Sequence, residues 1–294
     1  YSQAYGGGGS GGSGGSVPIS GNGGDGGNAL GGALYLAAGT ATITNATFAE
    51  NQVLGYDPAY SNISGGQAAD ESILFEGTGG DGGFGEEPGV AGSPGTHTTG
   101  AIDGKDAFAQ GGAIFNQAAV VDVVHASIAT NDAFGAPTTI LNGSGGGITS
   151  AGGTLNVRNS IIALNAALGD SPQDVSGTFV SEGYNLVGNA TGGSGFGASD
   201  LLGTLGNALD PRLKILNDYG GPTQTFSLES DSPALDAGTN AGAPATDQRG
   251  KPRIASGTAD IGAYEDQTPR IKNGILFIDG TDDDDIIVIQ PTAP

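Results

Sequence analysis

Three windows of this sequence, residues 31 to 55, 111 to 135 and 145 to 169, lie over one another without a gap. Gly32, Gly112 and Gly146 open the match, and Leu34, Ile114 and Ile148 follow two positions later. The alternating pairs Ala41/Ile43, Val121/Val123 and Leu155/Val157 come next, then Phe48, Ile128 and Ile162. Asn51, Asn131 and Asn165 each stand 19 positions after their glycine, and Gly55, Gly135 and Gly169 close the windows. Short β-branched segments of period two, cut by Gly and Asn and repeated at this length, predict coils of a β-solenoid and not a helical repeat. One coil cannot bury its inward side chains alone. Stacking at about 4.8 Å pairs each strand with the coils above and below. Asn51, Asn131 and Asn165 are then expected above one another at a turn, where amides hydrogen-bond along the stack. Asn is equally favoured at a turn because it tolerates left-handed backbone, and both readings stay open.

Composition narrows the partners. Thirty-one acidic residues stand against 9 basic ones, a net charge of -22. A nucleic-acid surface or an anionic membrane face needs clustered Lys and Arg, so neither is expected. Cations suit this charge, although an acidic excess also serves solubility alone. The chain has no cysteine, hence no disulfide and no thiolate metal site. No run of 18 apolar residues is present, so no membrane-spanning helix is expected. Residue 1 is Tyr, with no basic and apolar leader behind it, and the chain reads as a processed or excised part of something longer.

Residues 1–28 form a Gly-rich segment in which Ser10, Ser13, Ser16, Asp25 and Asn28 share one phase of three. Two glycines in three suit a flexible linker or an extended threefold helix packed on, or leading into, the solenoid. Residues 56–109 interrupt the repeat as an insertion, a place where repeat proteins carry binding loops. The sequence Tyr56-Asp57-Pro58 within it resembles a motif of alginate-modifying β-helix enzymes, but Ala59 stands where that motif needs His.

A run of motifs follows in residues 174–265. It comprises Asp174-Val175-Ser176-Gly177, Gly183-Tyr184-Asn185-Leu186, Asp218-Tyr219-Gly220-Gly221-Pro222, Ser232-Pro233-Ala234-Leu235-Asp236, Asp247-Gln248-Arg249-Gly250 and Ala259-Asp260-Ile261-Gly262-Ala263-Tyr264-Glu265. From about residue 30 to 265 this resembles the bacterial surface proteins called choice-of-anchor Q domain proteins, whose repeats resemble right-handed parallel β-helices and polymorphic outer-membrane proteins. The resemblance implies a single right-handed parallel β-helix over residues 29–266, exported or displayed on the cell surface, with no enzymatic activity established by membership. Many relatives carry Cys in this region and this chain has none. Asp236, Asp247 or Asp260 with Arg249 could be read as a calcium-dependent lyase set, by analogy with β-helix lyases. A structural ion pair of Asp247, Arg249 and Asp260 closing the last coil explains the same residues. His97 and His125 are too far apart in sequence to suggest a site. His125 aligns with Asn45 and Asn159 and reads as a turn residue.

Residues 267–294 change character. Ile271 to Ile278 is strand-like with a turn at Asn273-Gly274, and Asp279, Asp282, Asp283, Asp284 and Asp285 precede the apolar run Ile286 to Ile289. This resembles the start of an acidic calcium-binding β module, with calcium as the implied cofactor and those five Asp as its ligands. A solvated acidic loop is the other reading. The whole is therefore expected to be all-β: a parallel β-solenoid with a Gly-rich N-terminal segment and a small C-terminal β appendage. Two functions follow. One is a non-enzymatic structural or adhesive surface solenoid, extracellular or on the cell surface, whose partners are other protein chains or surface glycans. The other is a polysaccharide-active β-helix enzyme or carbohydrate-binding module, which rests on analogy of fold alone.

Overall fold

The computed structural model describes residues 3–5, 29–54, 108–134, 143–167, 173–272 and 275–278. These residues contain strands and turns and no helix. The first repeat window carries β2 (Ala29–Leu30), β3 (Leu34–Leu36), β4 (Thr40–Thr44), β5 (Thr47–Ala49) and β6 (Gln52–Leu54), preceded by β1 (Gln3–Tyr5). The second carries β7 (Ala109–Gln110), β8 (Ile114–Asn116), β9 (Val120–Val124), β10 (Ser127–Ala129) and β11 (Asp132–Phe134). In the third are β12 (Gly143–Ser144), β13 (Ile148–Ser150), β14 (Thr154–Arg158), β15 (Ile161–Ala163) and β16 (Ala166–Ala167). Shorter turns of chain follow with β17 (Val175–Thr178), β18 (Val180–Ser181), β19 (Leu186–Val187), β20 (Gly193–Ser194) and β21 (Leu201–Leu202).

Strands of like position stack into five parallel sheets, in the orders β12-β7-β2, β20-β17-β13-β8-β3, β18-β14-β9-β4, β21-β19-β15-β10-β5 and β1-β6-β11-β16. We number these sheets one to five, the order in which each coil visits them. The fold is all-β with parallel strands in several sheets, consistent with a β-solenoid. The register is the one that the aligned windows demand: Leu34↔Ile114↔Ile148, Ile43↔Val123↔Val157 and Phe48↔Ile128↔Ile162. A slip of one residue would turn every inward side chain outward, so the buried alternation holds the register. Ile114, Val121, Val123, Ile128, Ile148, Leu155, Val157 and Ile162 form the core with no exposure at all. Ala109 already belongs to β7, so the described coil resumes at the end of the 56–109 insertion.

Two local features make this stacking possible. At the coil corner, a Cβ on Gly112 would lie 2.0 Å from the carbonyl oxygen of Gly146, and one on Gly32 would lie 2.1 Å from that of Gly112. Only glycine allows backbones to approach so closely. At a second corner Asn45, His125 and Asn159 take left-handed backbone with φ of 51°, 49° and 47°. The sharp bend between sheets three and four depends on it.

After β21 the chain leaves the stack. Residues 203–266 form a mainly irregular cover around one antiparallel hairpin, β22 (Leu213–Asn217) with β23 (Thr225–Leu228). Leu228, Ala234 and Ile261 of this cover pack on Ile161, Ala163 and Leu186, the outward side chains of sheet four. That sheet is buried on both faces, which is why Ile161-Ile162-Ala163 is a continuous apolar run and not an alternating one. The expectation that coils continue to residue 266 is thus replaced by a lateral cover that doubles back to the first coil. A last antiparallel pair, β24 (Arg270–Lys272) with β25 (Ile275–Phe277), follows it.

Candidate functional site

The polar residues of this chain converge in three buried places. The first is a ladder inside the turn between sheets four and five. Asn51 donates from its backbone and side-chain nitrogens to Asn131 Oδ1 at 3.1 and 2.8 Å. Asn131 does the same to Asn165 Oδ1 at 3.0 and 2.8 Å. Asn165 in turn donates to Asp174 Oδ1 at 2.9 and 2.8 Å. Each rung sends its backbone N–H and one side-chain N–H forward to the next oxygen while the amide also donates back to a carbonyl of the preceding coil, Phe48 for Asn131 and Ile128 for Asn165, so the last rung needs only to accept. Asp174 supplies it, and its other oxygen accepts the Asn189 N–H at 2.7 Å. Burial pushes the Asp174 carboxyl up to about 6 against the opposing pull of these donors.

A second ladder repeats the logic at the neighbouring corner. Ala126 N–H donates to Ser160 Oγ, Ser160 N–H to Asn185 Oδ1, and both Asn185 nitrogens to Asp200 Oδ1 at 2.9 Å. Asp200 Oδ2 closes it by accepting from Ser181 Oγ and Gly197 N, both at 2.7 Å. Asp174 and Asp200 were not singled out as ladder ends from sequence, because a carboxylate that terminates a row of amides has no spacing signature of its own.

The third place is the seam between cover and coils. His125 is fully buried, its Nε2 2.8 Å from Asn159 Nδ2. The Thr239 backbone orients that amide, donating N–H to Asn159 Oδ1 at 2.9 Å and accepting from Nδ2 at 2.8 Å. Nε2 is therefore the acceptor and the proton of the neutral ring sits on Nδ1. Burial first, and the Arg253 guanidinium second, hold the His125 pKa down at about 3. Arg253, 1% exposed, donates to the Gly262 and Ala263 carbonyls at 3.0 and 3.1 Å and to Asn45 Oδ1 at 2.5 Å. It ties the cover to the first coil. Ser127 Oγ accepts the Ala263 N–H at 3.0 Å, tying the cover to the second.

Around Arg253 lie the carboxylates. Asp247 pairs with Arg249 at 2.7 Å and also accepts the N–H groups of Arg249, Lys251 and Glu265. The Arg249 guanidinium lies 3.7 Å over the Tyr264 ring and donates to the Glu265 carbonyl. Asp260 accepts the N–H groups of Asp236 and Asp266, each at 2.7 Å. Glu265 accepts those of Ala255 at 3.0 Å and Asp260 at 2.8 Å. Burial, and then the neighbouring Asp260 carboxylate, push the Glu265 carboxyl up to about 8 against the opposing pull of these N–H donors and of Arg253.

Of the residues singled out in the sequence, Asn51, Asn131 and Asn165 lie in one ladder, and Asp247 with Arg249 makes one ion pair. Asp260 lies in the same seam, bound to backbone. The seam runs along the side of the stack to the first coil, not across its last coil. Arg253 and Glu265 complete it, although nothing in their spacing marks them out. Asp279, Asp282, Asp283, Asp284 and Asp285 lie outside the described residues, as do Tyr56-Asp57-Pro58 and His97. Among the described residues no group of three or more His, Asp or Glu is arranged to hold a metal ion, and no helix is long and apolar enough to cross a membrane.

No family model, no curated protein and no solved structure matches this chain.

Proposed function

We propose that this chain is a non-enzymatic, right-handed parallel β-helix of an exported surface protein, with a structural or adhesive role among other protein chains or surface glycans. One observation carries the reading. Asp247, Asp260 and Arg249, three of the groups most open to a catalytic interpretation, are spent on one another and on the protein's own backbone. Asp247 has no side-chain exposure and accepts from Arg249, Lys251 and Glu265, while Asp260 and Glu265 are fully buried with backbone donors on both carboxylates. A general acid or base has to reach a substrate proton within hydrogen-bond distance, and these groups face inward. The resemblance to choice-of-anchor Q domain proteins supports the exported, cell-surface placement. The acidic run Asp279 to Asp285 supports calcium at the C-terminal junction.

Light scattering with negative-stain imaging, at fixed ionic strength with calcium and then with a chelator, tests this. Ordered assemblies lost on chelation are expected. A compact monomer indifferent to calcium that cleaves or modifies an acidic polysaccharide would refute it.

A further inference from the structure

Among the described residues the stack is closed at one end and open at the other. At the far end the coils shorten: Ile161 pairs with Leu186 and Leu186 with Leu201, and the carboxylates of Asp174 and Asp200 end the two ladders. At the near end β3, β4 and β5 are each the terminal strand of their sheet, hydrogen-bonded on one side only among the described residues. Their inward side chains report the same asymmetry. Leu34, Ala41 and Phe48 are only partly buried, whereas Ile114, Val121 and Ile128, one coil further in, are fully so. A cross-section of the apolar core lies here, rimmed by three strand edges that have no partner among the described residues.

The position of β1 says what belongs there. It pairs parallel with β6 in register, Gln3↔Gln52 to Tyr5↔Leu54, one level beyond the first coil in sheet five. In each of the first three coils the chain reaches sheet five only after passing sheets two, three and four. β1 is thus the closing strand of a further coil, and the strands that would precede it fall on β3, β4 and β5. We propose that this open edge receives three parallel strands of the same polypeptide, carried by chain that runs into Gln3, which makes the first coil an internal one. They would present apolar side chains inward at alternate positions, to cover Leu34, Ala41, Ile43 and Phe48, and a left-handed turn residue above Asn45. Parallel strands with a complete set of backbone partners are the condition under which such an edge stops being an aggregation template.

Hydrogen exchange on the chain as it stands is the first test, and fast exchange is expected at the edge-facing amides of residues 34–36, 40–44 and 47–49. A graft then supplies the missing strands: residues 112–131, which span sheets two to four of the second coil, placed directly before Gln3. Those amides should slow on the order of 100-fold and the thermal midpoint should rise, while a shuffled graft of the same composition does neither. If the full graft is insoluble, residues 127–131 alone should protect residues 47–49. Amides already protected in the monomeric ungrafted chain would overturn the proposal, since residues 6–28 would then hold the edge. Protection that appears only with dimer formation would overturn it in favour of a second copy. Soluble grafts without protection would overturn it outright.

Discussion

Replacing Asn131 by alanine cuts the amide ladder in its middle. The side chain gives Nδ2 to Asn165 Oδ1 at 2.8 Å and to the carbonyls of Phe48 and Ala129 at 3.0 Å, and its Oδ1 accepts twice from Asn51. Alanine therefore withdraws an acceptor from the buried N–H of Asn51 and a donor from three oxygens at once. A buried polar group that loses its partner costs about 1–3 kcal/mol. Two such groups set the expected loss at about 2–6 kcal/mol, since Asn165 Oδ1 still receives the Asn131 backbone N–H at 3.0 Å. The comparison is Asn156→Ala. Its amide donates to Asp122 Oδ1 at 2.6 Å, an inter-coil bond of the same kind, but on a half-buried outward face where water takes over, so about 1 kcal/mol or less is expected. Urea denaturation followed by far-ultraviolet circular dichroism measures both. Asn131→Asp should be at least as damaging as Asn131→Ala. It sets a carboxylate against Asn165 Oδ1, whereas Asp174 at the ladder's end faces only donors. If Asn131→Ala and Asn156→Ala fall within 1 kcal/mol of each other, the ladder does not hold the coils together and the reasoning is refuted.

Three further outcomes follow from the same contacts. His125, with a folded pKa of about 3 against 6.5, contributes stability that is complete above pH 6.5 and lost as pH falls towards 3. The ceiling is about 5 kcal/mol. His125→Asn, the residue type at both neighbouring levels, should therefore flatten the acid limb of the stability profile. What remains should decline as pH rises, because the raised carboxyls of Asp174 and Glu265 favour the fold below their ordinary values and lose that contribution through about pH 6 and pH 8. Arg253→Met should cost more than about 3 kcal/mol and expose the cover's anchor on Asn45 to proteolysis; Arg212→Ala, removing an exposed pair with Asp231, should change stability by under about 1 kcal/mol. Gly112→Ala should abolish folding, seen as loss of the cooperative transition, because its Cβ would meet the Gly146 and Asp132 carbonyls at 2.0 and 2.7 Å; Gly206→Ala, with nothing within 4 Å, should be tolerated.

What could be read from the sequence was whatever repeats. Side chains that recur at one offset must occupy one position in successive coils, so the windows opening at Gly32, Gly112 and Gly146 determined the strand register, the buried alternation and the vertical line of Asn51, Asn131 and Asn165 before any coordinate was known. His125 was legible as a turn residue for the same reason, since it aligns with Asn45 and Asn159 and all three share a left-handed φ. What does not repeat had to wait for the tertiary structure. Residues 203–266 carry no period, and their return along sheet four depends on apolar contacts such as Ile161 with Ile261 and on single bonds such as Arg253 to Asn45, across 208 positions of sequence. The meaning of each acid was decided there too. Asp174, Asp247, Asp260 and Glu265 look alike in a chain of net charge -22, and only the backbone N–H groups folded around them make one a ladder's end and the others the buried seam of a cover.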